Sequence, residues 1–276
     1  MAGGAAYPGG SARSSGSRPL DWSGAAACAT PDGAAHAPGL WEALTLVAVV
    51  GIALVIVAAI VVAVHRGGQG WWRFFLGGAA GWVVAQLVKS LLLAPFTLQA
   101  LHGGGAAAAT LLAVQWWFIG AGALLPGVVE ELGKYLPLRW LRVGNRGSAL
   151  ALGLGAGAVE ALVLGAEVFA LAGHGQSLAG ALIAVWERFW AVGFHAGSAA
   201  LDGLAVVRGQ ARWLVLAMAL HTAVDLGAAW YQHAAAVSAP AGTLHAALLL
   251  TELSAAVVAV LAWWLAGRLW ARTVAA

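Results

Sequence analysis

The chain has 276 residues, of which 62% are hydrophobic and 9% charged, and its mean hydropathy is +0.85. Soluble domains carry about 25% charged residues, so water is excluded as the main solvent and the lipid bilayer takes its place. The formal net charge of +3 comes without a concentrated basic patch interleaved with aromatics, which speaks against a nucleic-acid partner, and the single cysteine, Cys28, excludes an internal disulfide or a cysteine-based metal cluster.

Residues 1–39 are rich in Gly, Ala, Ser and Pro without hydrophobic periodicity, and read as a disordered extracytoplasmic tail. No basic segment there is closely followed by a short apolar run and a cleavage site, so a cleaved signal peptide is not expected. Residues 40–276 form the transmembrane domain, with apolar runs at 40–64, 71–97, 106–138, 147–171, 179–207, 212–232 and 244–266. Each run is too long for a barrel strand and lacks strict alternation. The expectation is an all-α polytopic membrane protein with about seven transmembrane helices. The third run exceeds one span, so it tilts, kinks at Pro126 or emerges into the interface.

Basic residues test this layout. Arg66 and Arg73 fall between the first two runs, Arg139, Arg142 and Arg146 between the third and fourth, Arg208 and Arg212 between the fifth and sixth, and Arg268 and Arg272 after the last. The alternate loops near 98–105, 172–178 and 233–243 contain no Lys or Arg. The positive-inside rule then puts the N-terminus outside and the C-terminus in the cytoplasm, as for an integral protein of a bacterial cytoplasmic membrane. Trp41, Trp71, Trp72, Trp140, Trp230 and Trp270 fall near the expected interfaces, as an aromatic belt requires.

The ionisable residues left within the apolar runs are costly, about 2.5–3.5 kcal/mol each at the bilayer centre on insertion scales. At about 1.5 Å of rise per residue, Glu130 and Glu131 lie about 12–14 Å in from the cytoplasmic arginines, Glu160 and His195 about 20 Å and His221 about 14 Å. These five residues on four helices reach a similar band, and a shared site is the economical reading. Glu130 and Lys134 are four apart and can pair, which leaves Glu131 on a neighbouring face as the first choice of base and Glu130 as its orienting or acid partner. Asp225 shares a face with His221 and can orient it. Arg188, seven residues before His195, can hold Glu187 or a carboxylate above the site. The glycines of "LGLGAGAVEA" let the fourth helix approach its neighbours and bring Glu160 inward. Lys89, Glu167, Asp202 and Glu252 read as structural or stabilised pairs, and His245 as solvated near the outer interface.

Two adjacent glutamates, a third carboxylate and two histidines in a buried cavity suit peptide hydrolysis by water, deprotonated either by a carboxylate or with a metal ion. The histidines then ligate that metal or stabilise the oxyanion. No Ser, Cys or Thr is expected in the band with a base, which disfavours a covalent intermediate.

At "EELGKY", "GLGAGAVEA", "WERFWAVGFHAGSAAL" and "ALHTAVD" the chain resembles the YhfC family of intramembrane metalloproteases, grouped with the PrsW and CAAX-prenyl endopeptidase-like membrane proteins. The resemblance spans roughly residues 45–265. It implies that Glu130 and Glu131 are the paired catalytic glutamates, that Lys134 is the basic residue following them, and that Glu160, the Glu187–Arg188 pair and His221 are the later site residues. It further implies a divalent metal such as zinc, with His195 and His221 as ligands, and a membrane protein or peptide as substrate. Relatives read Gly-His-Gly where this chain has Gly155, Ala156 and Gly157. Two routes follow: His195 stands in for the missing histidine, or glutamate activates the water without metal. The rival readings are a proton- or ion-coupled transporter, which would show internal repeats and discontinuous helices, and an inactive scaffold of the same fold. Oligomeric state has no signature in the sequence.

Overall fold

In a computed structural model, the backbone is described for residues 38–102, 116–171 and 178–274, and side chains for 46–95, 119–166 and 180–273. The tail, Cys28, the connections 103–115 and 172–177, and the side chains of Trp41 and Glu167 lie outside the described residues. Seven α-helices follow one another: α1 (Pro38–Gly67), α2 (Trp71–His102), α3 (Trp116–Trp140), α4 (Arg146–Leu171), α5 (Leu178–Arg208), α6 (Arg212–Ala236) and α7 (Ala241–Val274). No strand occurs among the described residues. Six of these helices are long and apolar enough to cross a membrane by length and composition, and the chain is an integral membrane protein. The remaining one, α3, carries Glu130, Glu131 and Lys134, and runs unbroken through Pro126 and Pro137.

The arginine-bearing ends gather at one end of the bundle. A side-chain carbon added at Gly147, next to Arg146, would meet the Arg66 carbonyl, so the end of α1 abuts the start of α4. The Arg146 guanidinium lies over the Trp263 ring of α7. Arg208 at the end of α5 donates to Leu269 O and Thr273 Oγ1 near the end of α7. Below this end the core is sealed by Leu138, Leu152, Leu201 and Leu204, all wholly enclosed. Trp72, Trp140 and Trp230 stand exposed, as belt residues would. Trp270 does not: it is buried and donates its indole N–H to Ala200 O at 2.8 Å, so it packs α7 onto α5.

Helices α4 and α5 form the centre, and α4 is built to be approached from two sides. Gly153 and Gly157, four residues apart, face α5; a Cβ at Gly153 would stand 2.1 Å from His195 O, and one at Gly157 2.7 Å from Val192 Cα. Gly155, on the opposite side, would put a Cβ 1.9 Å from Phe75 O of α2. Without a hydrophobic driving force between helices in lipid, such small-residue contacts hold them together by close packing. The outcome is that Glu160 and His195 meet across α4 and α5.

Candidate active site

Glu130, Glu131 and Glu160 each have a separate cation. Lys89 of α2 pairs with Glu130 Oε1, joined by the Gln86 amide, which donates to the same oxygen at 3.2 Å. Lys134 Nζ donates to Glu131 Oε1 at 2.7 Å. Arg188 of α5 donates to Glu160 Oε1 at 2.6 Å and also pairs with Glu187. Pairing of this kind offsets the desolvation of buried charge, and removal of either partner is what becomes expensive.

This arrangement corrects the expected Glu130–Lys134 pair. Lys134 takes the nearer glutamate in sequence, at i,i+3, because Lys89 from a different helix has claimed Glu130. The ground on which Glu131 ranks above Glu130 as base, a lysine held by Glu130, therefore falls. Lys134 also donates to Ser198 Oγ at 2.5 Å and lies 3.3 Å from His195 Nδ1. An ammonium group has three donors, and these acceptors use all of them. His195 then carries its proton on Nε2, which faces Glu160 Oε2 at 2.5 Å.

The second histidine is held by the other glutamate. His221 Nδ1 donates to Glu131 Oε1 at 2.5 Å, while its Nε2 faces Asp225 Oδ2 at 3.6 Å and Glu130 Oε2 at 3.7 Å. Those two separations exceed hydrogen-bond length. Asp225 does share a face with His221, but the contact that fixes the ring comes from Glu131 on α3. His195 and His221 stand edge to face with centroids 5.5 Å apart, and His195 Nε2 is 4.0 Å from Glu130 Oε2. Glu130, Glu131, Glu160, His195 and His221 are thus brought together from α3, α4, α5 and α6.

Four further residues reach the site. Lys89 and Gln86 come from α2, a helix whose single internal lysine was the available sign. Ser198 sits within the band beside Lys134, contrary to the expectation that no serine would; it is wholly buried, accepts from Lys134 and donates to His195 O at 3.3 Å, which leaves it no approach for a substrate. Asp202 lies against Glu131. Both Asp202 oxygens and Glu131 Oε2 are buried with no donor among the described residues, so this pair is complete only with a proton or a cation between its members. His245 is exposed, and Glu252 on α7 holds a buried oxygen without a described partner.

Glu130, Glu160 and His195 each offer one ligand atom, and these atoms lie within 4.8 Å of one another. One imidazole and two carboxylates form a donor set that zinc accepts. A divalent ion that displaces the proton between His195 and Glu160 fits this set once the ring carries its proton on Nδ1, which requires Lys134 to withdraw from that nitrogen. Ala156 is wholly buried one turn before Glu160, against Gly78 of α2.

The fold and site together define a helical integral membrane protein with a buried acid–histidine centre. The family model of the YhfC intramembrane metalloproteases matches residues 50–173. That match contains Glu130, Glu131, Lys134 and Glu160, and ends before Arg188, His195, His221 and Asp225. No curated protein and no solved structure matches the chain.

Proposed function

We propose that the protein is an intramembrane endopeptidase that hydrolyses peptide bonds of membrane polypeptides with an activated water, a role that also fits the PrsW and CAAX-endopeptidase-like grouping. The observation that carries this reading is the convergence of two histidines on Glu130. Its Oε2 lies 4.0 Å from His195 Nε2 and 3.7 Å from His221 Nε2, close to both rings but hydrogen-bonded to neither.

In this reading Glu130 accepts the proton of the attacking water and passes it to the departing amine nitrogen, because it faces both rings whereas Glu131 is 0% exposed and committed to Lys134 and His221. Glu131 orients His221 through Nδ1. His221 donates to the oxyanion that forms at the scissile carbonyl, an interaction worth about 2.7–4 kcal/mol of transition-state stabilisation. Arg188, held by Glu187, positions Glu160, and Glu160 positions His195. Glu130, Glu160 and His195 are the residues that would hold a metal ion such as zinc, which when bound makes water easier to deprotonate. With Glu130 as base, the same residues serve without metal. Ser198, enclosed and doubly hydrogen-bonded, takes no part as nucleophile.

Hydrolysis is favoured over transport by the one-sided surroundings of the site. Leu138, Leu152, Leu201 and Leu204 close the arginine end, whereas the polar side chains continue through Asp225 towards the other. The proposed orientation has the arginine end in the cytoplasm of a bacterial cell and the N-terminal tail outside. In a chain with Cys28→Ser, cysteines introduced as Asn145→Cys and Gly105→Cys should label from opposite sides of intact cells; labelling of both from outside rejects it. The activity is tested by incubating purified protein with a panel of membrane polypeptides, wild type against Glu130→Gln, with metal content measured on the same samples. Cleavage by wild type alone supports the reading, and equal cleavage by both sinks it.

A further inference from the structure

A cavity of about 220 Å³ lies between α3 and α6, on the side of the site away from the arginines, and is lined by Gly122 and Pro126 on α3 and by Asp225, Ala229 and Gln232 on α6. Its walls present acceptors. Proline has no N–H, so the helical bond from position 126 to the Gly122 carbonyl cannot form, although α3 continues through both residues. Gly122 is exposed, and a Cβ placed on it would meet nothing within 4 Å. Across the cavity stands the partly exposed carboxylate of Asp225, whose Oδ2 is turned inward towards His221, buried and without a hydrogen-bond donor among the described residues. Gln232 adds an amide that can donate as well as accept. The floor connects to the site, because Asp225 is 3.6 Å from His221 Nε2.

An intact transmembrane helix has no use for such a wall, since its N–H groups are satisfied internally. A helix that has been opened does: each freed N–H in lipid requires an acceptor. We propose that this cavity holds an unwound stretch of membrane polypeptide, with the Gly122 carbonyl and Asp225 accepting its backbone N–H groups and Gln232 donating to a backbone carbonyl. The assignment rests on the reading of the protein as a peptide hydrolase, and names the form in which substrate reaches the histidines. Extended backbone with small side chains fits a cleft whose other walls include Ala228 and Ala229.

The test uses the full chain in lipid nanodiscs and two dye-labelled membrane-spanning Leu/Ala peptides, one continuous and one with a central Gly-Gly-Ser break. Binding is read by anisotropy, with peptide integrity checked by mass spectrometry. The broken peptide should bind about tenfold more tightly than the continuous one, on the order of one or two backbone hydrogen bonds. Gly122→Leu, which fills open space and favours helix, should erase that preference. Pro126→Ala, which returns a donor to the Gly122 carbonyl, should reduce it several-fold while leaving thermal stability at or above wild type. Equal binding of the two peptides, or an undiminished preference in Gly122→Leu, overturns the proposal. Cleavage by wild type that persists unchanged in Gly122→Leu would leave the hydrolase standing without this cleft. Cleft-dependent binding without any cleavage by wild type would leave the cleft and reject the hydrolase.

Discussion

Helices α1 and α5 invert the rule that holds in water. The most apolar of the six spans, in α1, buries 22% of its best stretch, while the least apolar, in α5, buries 72%. Leu54 of α1 is exposed, whereas the wholly or nearly buried positions of α5 include Ala196, His195, Ser198, Ala199 and Asp202 beside the apolar Phe194, Leu201 and Leu204. Lipid accepts leucine as readily as a neighbouring helix does, so the interior is filled by residues that lipid rejects or that let backbones touch. In α5, burial gathers small and polar residues that lipid would not favour, and among them are the residues of the site.

The largest expected break in that contrast is Gly153→Leu. Its Cβ alone would stand 2.1 Å from His195 O, and backbone cannot yield as a side chain can. Loss of monodisperse protein in detergent is expected, while Leu54→Ala on α1 should change stability by less than about 0.5 kcal/mol. Next is Arg188→Met, which strips Glu160 and Glu187 of their cation and should destabilise by about 3–5 kcal/mol. The double variant with Glu160→Gln should recover part of this in thermal unfolding; no recovery would mean that Arg188 acts by packing alone. His221→Ala should keep the fold and lower cleavage by about 10²–10³-fold, the size of one lost oxyanion donor. Glu252→Gln should be the smallest effect, with cleavage near the wild-type rate, since Glu252 reaches the site only through the charges of Glu187 and Arg188. A large loss there would extend the site to α7.

Much of this contrast is legible in the sequence. Seven apolar runs, each with arginines at one end, give the helices to within about five residues, except α7, which ends eight residues past the expected run at Val274, and α3, whose described start at Trp116 lies ten residues inside it. The rise per residue brings the site residues into one band. Pairing inside the band is less legible for a physical reason. Lys134 is three residues from Glu131 and four from Glu130, and both spacings share a helix face. The choice is made by Lys89, which reaches Glu130 from 41 residues away. Asp202 and Trp270 repeat the lesson: one reads as a structural acid and the other as an interface tryptophan until packing sets them against Glu131 and Ala200.

The most direct test of the central claim is the appearance of new peptide termini when purified protein in nanodiscs meets a membrane polypeptide. Wild type, Glu130→Gln and Glu131→Gln are compared at matched folding by mass spectrometry. The account predicts products from wild type and none from either variant, because one glutamate takes the proton and the other holds His221. Cleavage at the wild-type rate by Glu130→Gln would contradict it.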